Sequence, residues 1–153
     1  MAARDWRWFI IIAVGALLAM SIISATATET FELPAAYGLI PSASGLAVIL
    51  FAWHIYIQTS SGGIDNEAYN AKPIIDRLVD FAVVILVSGL VAAVGIGAGI
   101  EFGFIDSDVL WGEDIASWVA GTLVLILGML AGIYAGVARN RDIQITEDDD
   151  RGE

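Results

Sequence analysis

Residues 115–138 read IASWVAGTLVLILGMLAGIYAGVA, a run of 24 positions with no Asp, Glu, Lys or Arg. As a helix, this run would rise about 36 Å, enough to cross a hydrocarbon core of about 30 Å. Its second half carries Gly128, Gly132 and Gly136, four residues apart and so on one helix face. In a water-soluble helix each glycine would cost about 1 kcal/mol relative to alanine. Inside lipid the balance differs, because tails are as apolar as leucine and helices associate by close backbone approach through small residues. The stretch therefore reads as a membrane span with a smooth packing groove.

Working outward, three more blocks of this kind appear. They cover about 8–25 (WFIIIAVGALLAMSIISA), 37–57 and 78–100, and with 115–138 they predict four spans. Hydrophobic residues make up 58% of the 153-residue chain, and the mean hydropathy is +0.75. Charges fall almost entirely between the blocks. The fold class expected is an all-α integral membrane protein, a four-transmembrane-helix bundle in one domain, residues 1–138. Residues 139–153, RNRDIQITEDDDRGE, are expected to form an acidic disordered inner tail.

The seven basic residues set the orientation. Arg4 and Arg7 precede the first block, Lys72 and Arg77 separate the second from the third, and Arg139, Arg141 and Arg151 follow the fourth. Connections 26–36 and 101–114 contain none. Because Lys and Arg stay on the cytoplasmic side, both termini are expected inside. Two aromatic belts agree: Trp6, Trp8, Trp53, Tyr56 and Tyr134 at the inner boundary, and Phe31, Tyr37, Phe102, Trp111 and Trp118 at the outer. The basic leader, apolar core and Ala25-Thr-Ala27 also fit a cleavable secretory signal; retention as a span is the expectation.

Proline and glycine refine the boundaries. Pro73 suits the opening of the third helix, and Pro41 marks either the start of the second helix or a bend in it. The inner loop TSSGGIDNEAYNAK, residues 59–72, reads as a flexible connection. A second glycine ladder, GIGAGIEFG, places Gly95, Gly99 and Gly103 in the outer half of the third span. In an antiparallel pair it lies at the wrong depth for Gly128–Gly136. Ala116, Ser117, Ala120 and Gly121 are expected to pack on it instead. The inner ladder is expected to meet the first or second span, with self-association as the alternative.

The sequence is poor in chemistry. With no cysteine and a single histidine, thiolate sites, histidine metal sites and catalytic triads lack their parts. An ionisable group at mid-bilayer costs about 2.5–3.5 kcal/mol on insertion scales, so the groups near the spans are the candidates. His54 and Asp80 fall at similar depth near the inner ends of the second and third spans, and form a possible polar pair. Glu101 caps the outer end of the third. A proton path would need acceptors onward, and only the hydroxyls Ser21, Ser88 and Thr122 lie at mid-depth. Asp106, Asp108 and Glu113 do not keep EF-hand spacing and read as solvated acidic surface. The Gly95-Ile-Gly-Ala-Gly99 run follows no strand, which sets aside a dinucleotide loop. No catalytic residue, cofactor or metal site is expected. With 18 acidic residues against 7 basic ones, direct nucleic-acid binding is not expected either.

Three functions fit: a non-enzymatic structural membrane protein, a channel or transporter subunit, and an accessory subunit of a larger complex. One Lys against six Arg, with a large acidic surplus, is similar to haloarchaeal composition, where acidic surfaces stay hydrated in concentrated salt; an ordinary acidic surface would share the surplus. A short acidic chain with four spans and little extramembrane mass resembles the small envelope membrane protein of pleomorphic haloarchaeal viruses (pleolipoviruses). The resemblance is one of architecture and composition, so no residue role carries over. It implies a structural component of a lipid envelope, partnered by the bilayer, by copies of itself or by a spike protein.

Overall fold

The computed structural model describes residues 5–108 and 114–144. Trp111 and Glu113, the side chains of Trp6 and Trp8, Arg4, and the tail from residue 145 lie outside them. Five helices follow in order: α1 (Asp5–Thr30), α2 (Leu39–Ser61), α3 (Asn66–Ala71), α4 (Ile74–Glu101) and α5 (Ile115–Ala138). Short 3₁₀ turns, Ala35–Gly38 and Arg141–Ile143, precede α2 and follow α5. The helices α1, α2, α4 and α5 are long and apolar enough to cross a membrane, and they form an all-α four-helix bundle. The α5 limits coincide with the expected span, while α1 and α4 run beyond their apolar blocks.

Local chemistry explains the helix ends. Pro41 sits in the first turn of α2, where its missing N–H has no intrahelical partner to lose. Pro73 is the N-cap of α4. At its far end, Gly62 adopts φ 82° and donates its N–H to Gln58 O, closing α2 with a left-handed cap. The inner loop, read as flexible, holds the short helix α3. Asp65 nucleates it by accepting from the N–H groups of Glu67 and Ala68, the N-cap bond.

The core is built by three of the four long helices. In α4, every fourth residue is buried from Asp80 through Val84, Ser88 and Ala92 to Ile96. Helix α5 answers with Ser117, Gly121, Leu125, Gly128, Gly132 and Gly136. Helix α2 contributes Leu39, Ala43, Ala47 and Phe51. In α1, by contrast, no residue from Phe9 to Thr30 is buried.

The α5 glycines sit where the three helices meet. A Cβ at Gly132 would lie 2.7 Å from Val84 O and 3.2 Å from Ala47 Cβ. At Gly128 it would lie 3.0 Å from Ser88 O and 3.4 Å from Ala43 Cβ, and at Gly136 it would meet Phe51 and Val84 at 2.6 Å. The ladder thus packs on α2, as expected of an intrachain contact, and equally on α4. Its α4 partner is the Val84–Ser88–Ala92 row, not the second glycine ladder.

That second ladder is not one groove. Gly95 packs on Val124 of α5, whereas Gly99 is covered by Ile105, folded back from the connection after α4. Gly103 lies beyond the helix at φ 72°, the left-handed position that ends it. The expected contact of Ala116, Ser117, Ala120 and Gly121 with the whole ladder is therefore not made. A glycine there would have to be helical to form a rung, and Gly103 terminates the helix. Gly121 instead faces Leu39 of α2 at 3.5 Å from its would-be Cβ.

Candidate functional site

Asp80 heads the buried row of α4, in the second turn of the helix and only 2% exposed. A carboxylate taken out of water must be paired and hydrogen-bonded, and three side chains do this. Lys72, at the end of α3, places Nζ 2.5 Å from Oδ2. Arg139, the first residue after α5, places Nε 2.8 Å from Oδ1. Asn140 donates from Nδ2 to Oδ2 at 3.3 Å and to Gly136 O at 2.9 Å. Its Oδ1 accepts from Lys72 Nζ at 3.0 Å, so the fully buried Asn140 links anion and cation.

The supports of this cluster are local. Arg77 donates from Nε to Lys72 O at 3.1 Å and from Nη2 to Asn70 O at 2.6 Å, and its guanidinium lies 5.1 Å above the Tyr69 ring. Burial raises the Tyr69 phenol above its ordinary pKa; Arg77 works against that shift, and the Asp80 charge adds to it. Beyond Asn140 the chain turns back: Asp65 N donates to Ile143 O at 3.0 Å, and Ile64 bridges Gln144 in antiparallel fashion. Ile64 is 1% exposed and packs with Ile143, Phe51 and Val84. Loop, helix ends and returning chain are thus stapled over one end of the bundle, the end that also carries Arg7 and Arg141.

Of the possible His54–Asp80 pair, only Asp80 belongs to this cluster. No hydrogen bond or ion pair joins it to His54, whose Nε2 is buried without a hydrogen-bond partner among the described residues. Lys72 and Arg139 enter the sequence reading only as orienting charges, and nothing in residue order pairs them or Asn140 with Asp80. The available signal was the charge balance itself: a carboxylate inside a span requires a cation near its depth. Arg77, three residues before Asp80 and so on the same helix face, is the obvious candidate by spacing, yet it is committed to backbone carbonyls.

At the opposite end the acidic residues act locally. Asp106 Oδ1 accepts from Asp108 N at 2.9 Å, and Asp114 caps α5 by accepting from Ser117 N at 2.7 Å. The backbone N–H of Ser117, aided by its hydroxyl, holds the Asp114 carboxyl below its ordinary pKa. Among the described residues no group of three His, Cys, Asp or Glu is placed to hold a metal ion.

Chemically, the Asp80 cluster is a closed clamp. Both carboxylate oxygens are occupied. Of the mid-depth hydroxyls, Ser21 and Thr122 bond carbonyls of their own helices, Leu17 O and Trp118 O. Ser88 Oγ is buried without a hydrogen-bond partner among the described residues, against the α5 glycines. The chain matches no protein-family model, no curated protein and no solved structure.

Proposed function

We propose that this chain is a non-enzymatic structural component of a membrane, built to hold a rigid, apolar unit in lipid. The observation that carries this reading is the seam of α5 on α4 and α2. Around Gly132 the α5 backbone packs directly on Val84 O of α4 and Ala47 of α2, which closes the three-helix axis at that level, and the polar groups of the Asp80 cluster are spent on one another. A channel or transporter would need polar surfaces lining a path. The basic residues at the clamp end support an orientation with that end on the cytoplasmic or interior side.

Within that class, the acidic composition and the four-span architecture support a place in a lipid envelope of the kind borne by pleomorphic haloarchaeal viruses. Copies of the chain, or a spike protein beside it, would be its partners there. Two experiments test the reading. Reconstituted into sealed vesicles, the protein is expected to leave ion, proton and solute flux at the level of empty vesicles; flux above that level would replace the structural reading with transport. Mass spectrometry of purified virions against host membranes tests the envelope assignment, and recovery from host membranes alone would remove it.

A further inference from the structure

Asp80 carries one negative charge, yet two cations hold it: Lys72 on Oδ2 and Arg139 on Oδ1. The clamp therefore keeps one positive charge more than neutrality requires. At the edge of the hydrocarbon such a surplus is costly unless it is paired or hydrated. No second carboxylate among the described residues forms an ion pair with either cation. Asp76 and Asp142 are close in sequence, and neither is engaged with Lys72 or Arg139. Asp65 is committed to capping α3.

Arg139 is where this surplus faces outward. A guanidinium presents its N–H donors in a planar fork, and Arg139 spends Nε alone on Asp80. Its Nη groups have no hydrogen-bond partner among the described residues. The side chain is 42% exposed, against 18% for Lys72, so the unspent edge of the fork is open to the surroundings. Arg139 directly follows the uncharged run of α5, at the point where the span leaves the hydrocarbon. Tyr134 and Trp53, both exposed, mark the headgroup level there. The neighbouring cations are placed differently. Arg77 is committed to the carbonyls of Lys72 and Asn70, and Arg141 donates to Tyr134 Oη and lies over its ring.

We propose that the Nη edge of Arg139 is a binding site for a phosphate group, brought by the headgroup of an anionic phospholipid at this face of the membrane. Two oxygens of one phosphate match the parallel N–H bonds that the fork offers. The negative charge of the phosphodiester supplies the missing counter-charge, whereas the phosphate of phosphatidylcholine arrives with a cation of its own. Asp80, on the other edge, fixes the plane of the guanidinium, so the clamp that closes the bundle end also aims the donors. Lys72 Nζ, bonded to Asp80 and Asn140, adds positive charge behind the site. Inorganic phosphate has the same acceptor oxygens, but lipid phosphate is already held at this depth. This inference rests on the membrane reading above and adds a lipid preference to it.

The test uses the full chain in vesicles of equal parts phosphatidylcholine and phosphatidylglycerol, extracted into mild detergent and weighed by native mass spectrometry. Wild-type protein is expected to retain phosphatidylglycerol about fivefold over phosphatidylcholine, the effect of one well-placed cation. Arg139→Gln leaves Asp80 paired with Lys72 and Asn140, and is expected to lose the preference with helical content unchanged by circular dichroism. Arg141→Gln removes the same charge nearby and is expected to keep it. Arg139→Lys keeps the ion pair but lacks the fork, and is expected to release the lipid at lower collision energy than wild type. The proposal is overturned by no preference in wild type, by a preference that survives Arg139→Gln, by equal losses at Arg139 and Arg141, or by Arg139→Lys holding the lipid as firmly as wild type. A preference seen only after removal of residues 145–153 would give the site to the chain's own carboxylates. An inorganic phosphate adduct that displaces the lipid would give it to the free anion, and either result overturns the lipid assignment. Flotation of the wild-type protein with the vesicles, read in the same preparation, separates failure of the site from failure of the membrane reading.

Discussion

Gly132 and Gly15 are both glycines in the middle of long apolar helices, yet a methyl group added to each would meet opposite surroundings. At Gly132 it would strike the carbonyl oxygen of Val84 at 2.7 Å, a backbone atom that cannot step aside. At Gly15 it would meet nothing within 4 Å. The difference divides the bundle into a three-helix core of α2, α4 and α5, joined through bare backbone, and a flanking α1 held by side-chain contacts. Small residues in a span are thus not by themselves evidence of a contact; the neighbour decides whether the missing side chain matters.

The comparison can be broken most forcefully at the seam. Gly132→Leu is expected to prevent the core from assembling. Gly132→Ala should already cost about 1–3 kcal/mol, the range for an added methyl in a close-packed site. Reversible unfolding in mixed micelles reads both. If both leave bundle stability unaltered, the seam is not the contact surface described here.

Next comes the clamp. Asp80→Ala removes the acceptor shared by Lys72, Arg139 and Asn140. It is expected to destabilise the fold by about 2–3 kcal/mol, less than a fully buried pair would lose, because the Arg139 side chain is 42% exposed. Adding Lys72→Met should recover part of that loss in a double-mutant cycle. His54→Ala should show no coupling to Asp80 in the same assay, and measurable coupling would restore the partner expected from sequence.

Smaller effects sharpen the contrast. Gly95→Ala has as its nearest neighbours the methyls of Val124 at 3.0 Å, side-chain atoms that can give, so a cost below about 1 kcal/mol is expected. Gly15→Ala should be neutral or stabilising by up to about 1 kcal/mol through helix propensity. Thermal melting across the pair checks the ranking, and a larger loss at Gly15 than at Gly132 would invert it.

The smallest effect concerns pH. Asp114 has its carboxyl held low in the folded state, so its cap stabilises α5 at pH above the ordinary carboxylate range. That contribution is lost as pH falls through the lowered value. Asp114→Asn should flatten the acid limb of the stability curve and leave neutral pH nearly unchanged.

Much of this architecture was legible from residue order. Long uncharged blocks admit few structures in lipid, which is why α5 matches its block residue for residue. The α1 and α4 ends were less legible, because capping and backbone bonding extend a helix past its last apolar residue. The Gly95–Gly103 ladder misled because spacing alone cannot reveal that Gly103 turns left-handed, or that Ile105 folds back over Gly99. In the same way, Asp80 announced itself as a carboxylate within a span, but its partners come from residues 72, 139 and 140. Those positions converge only after the loop, α4 and α5 are in place. Polar pairing at a helix-bundle end is a property of the tertiary turn, and depth along single helices is too coarse to choose among several cations.

The most direct test of the account uses the absence of cysteine from the chain. Single cysteines at Asn70, Gln144 and Asp106 would be labelled by a membrane-impermeant thiol reagent in sealed, uniformly oriented vesicles. The four-span bundle predicts that Asn70 and Gln144 react from one side and Asp106 from the other only. Labelling of Asn70 and Gln144 from opposite sides would contradict it.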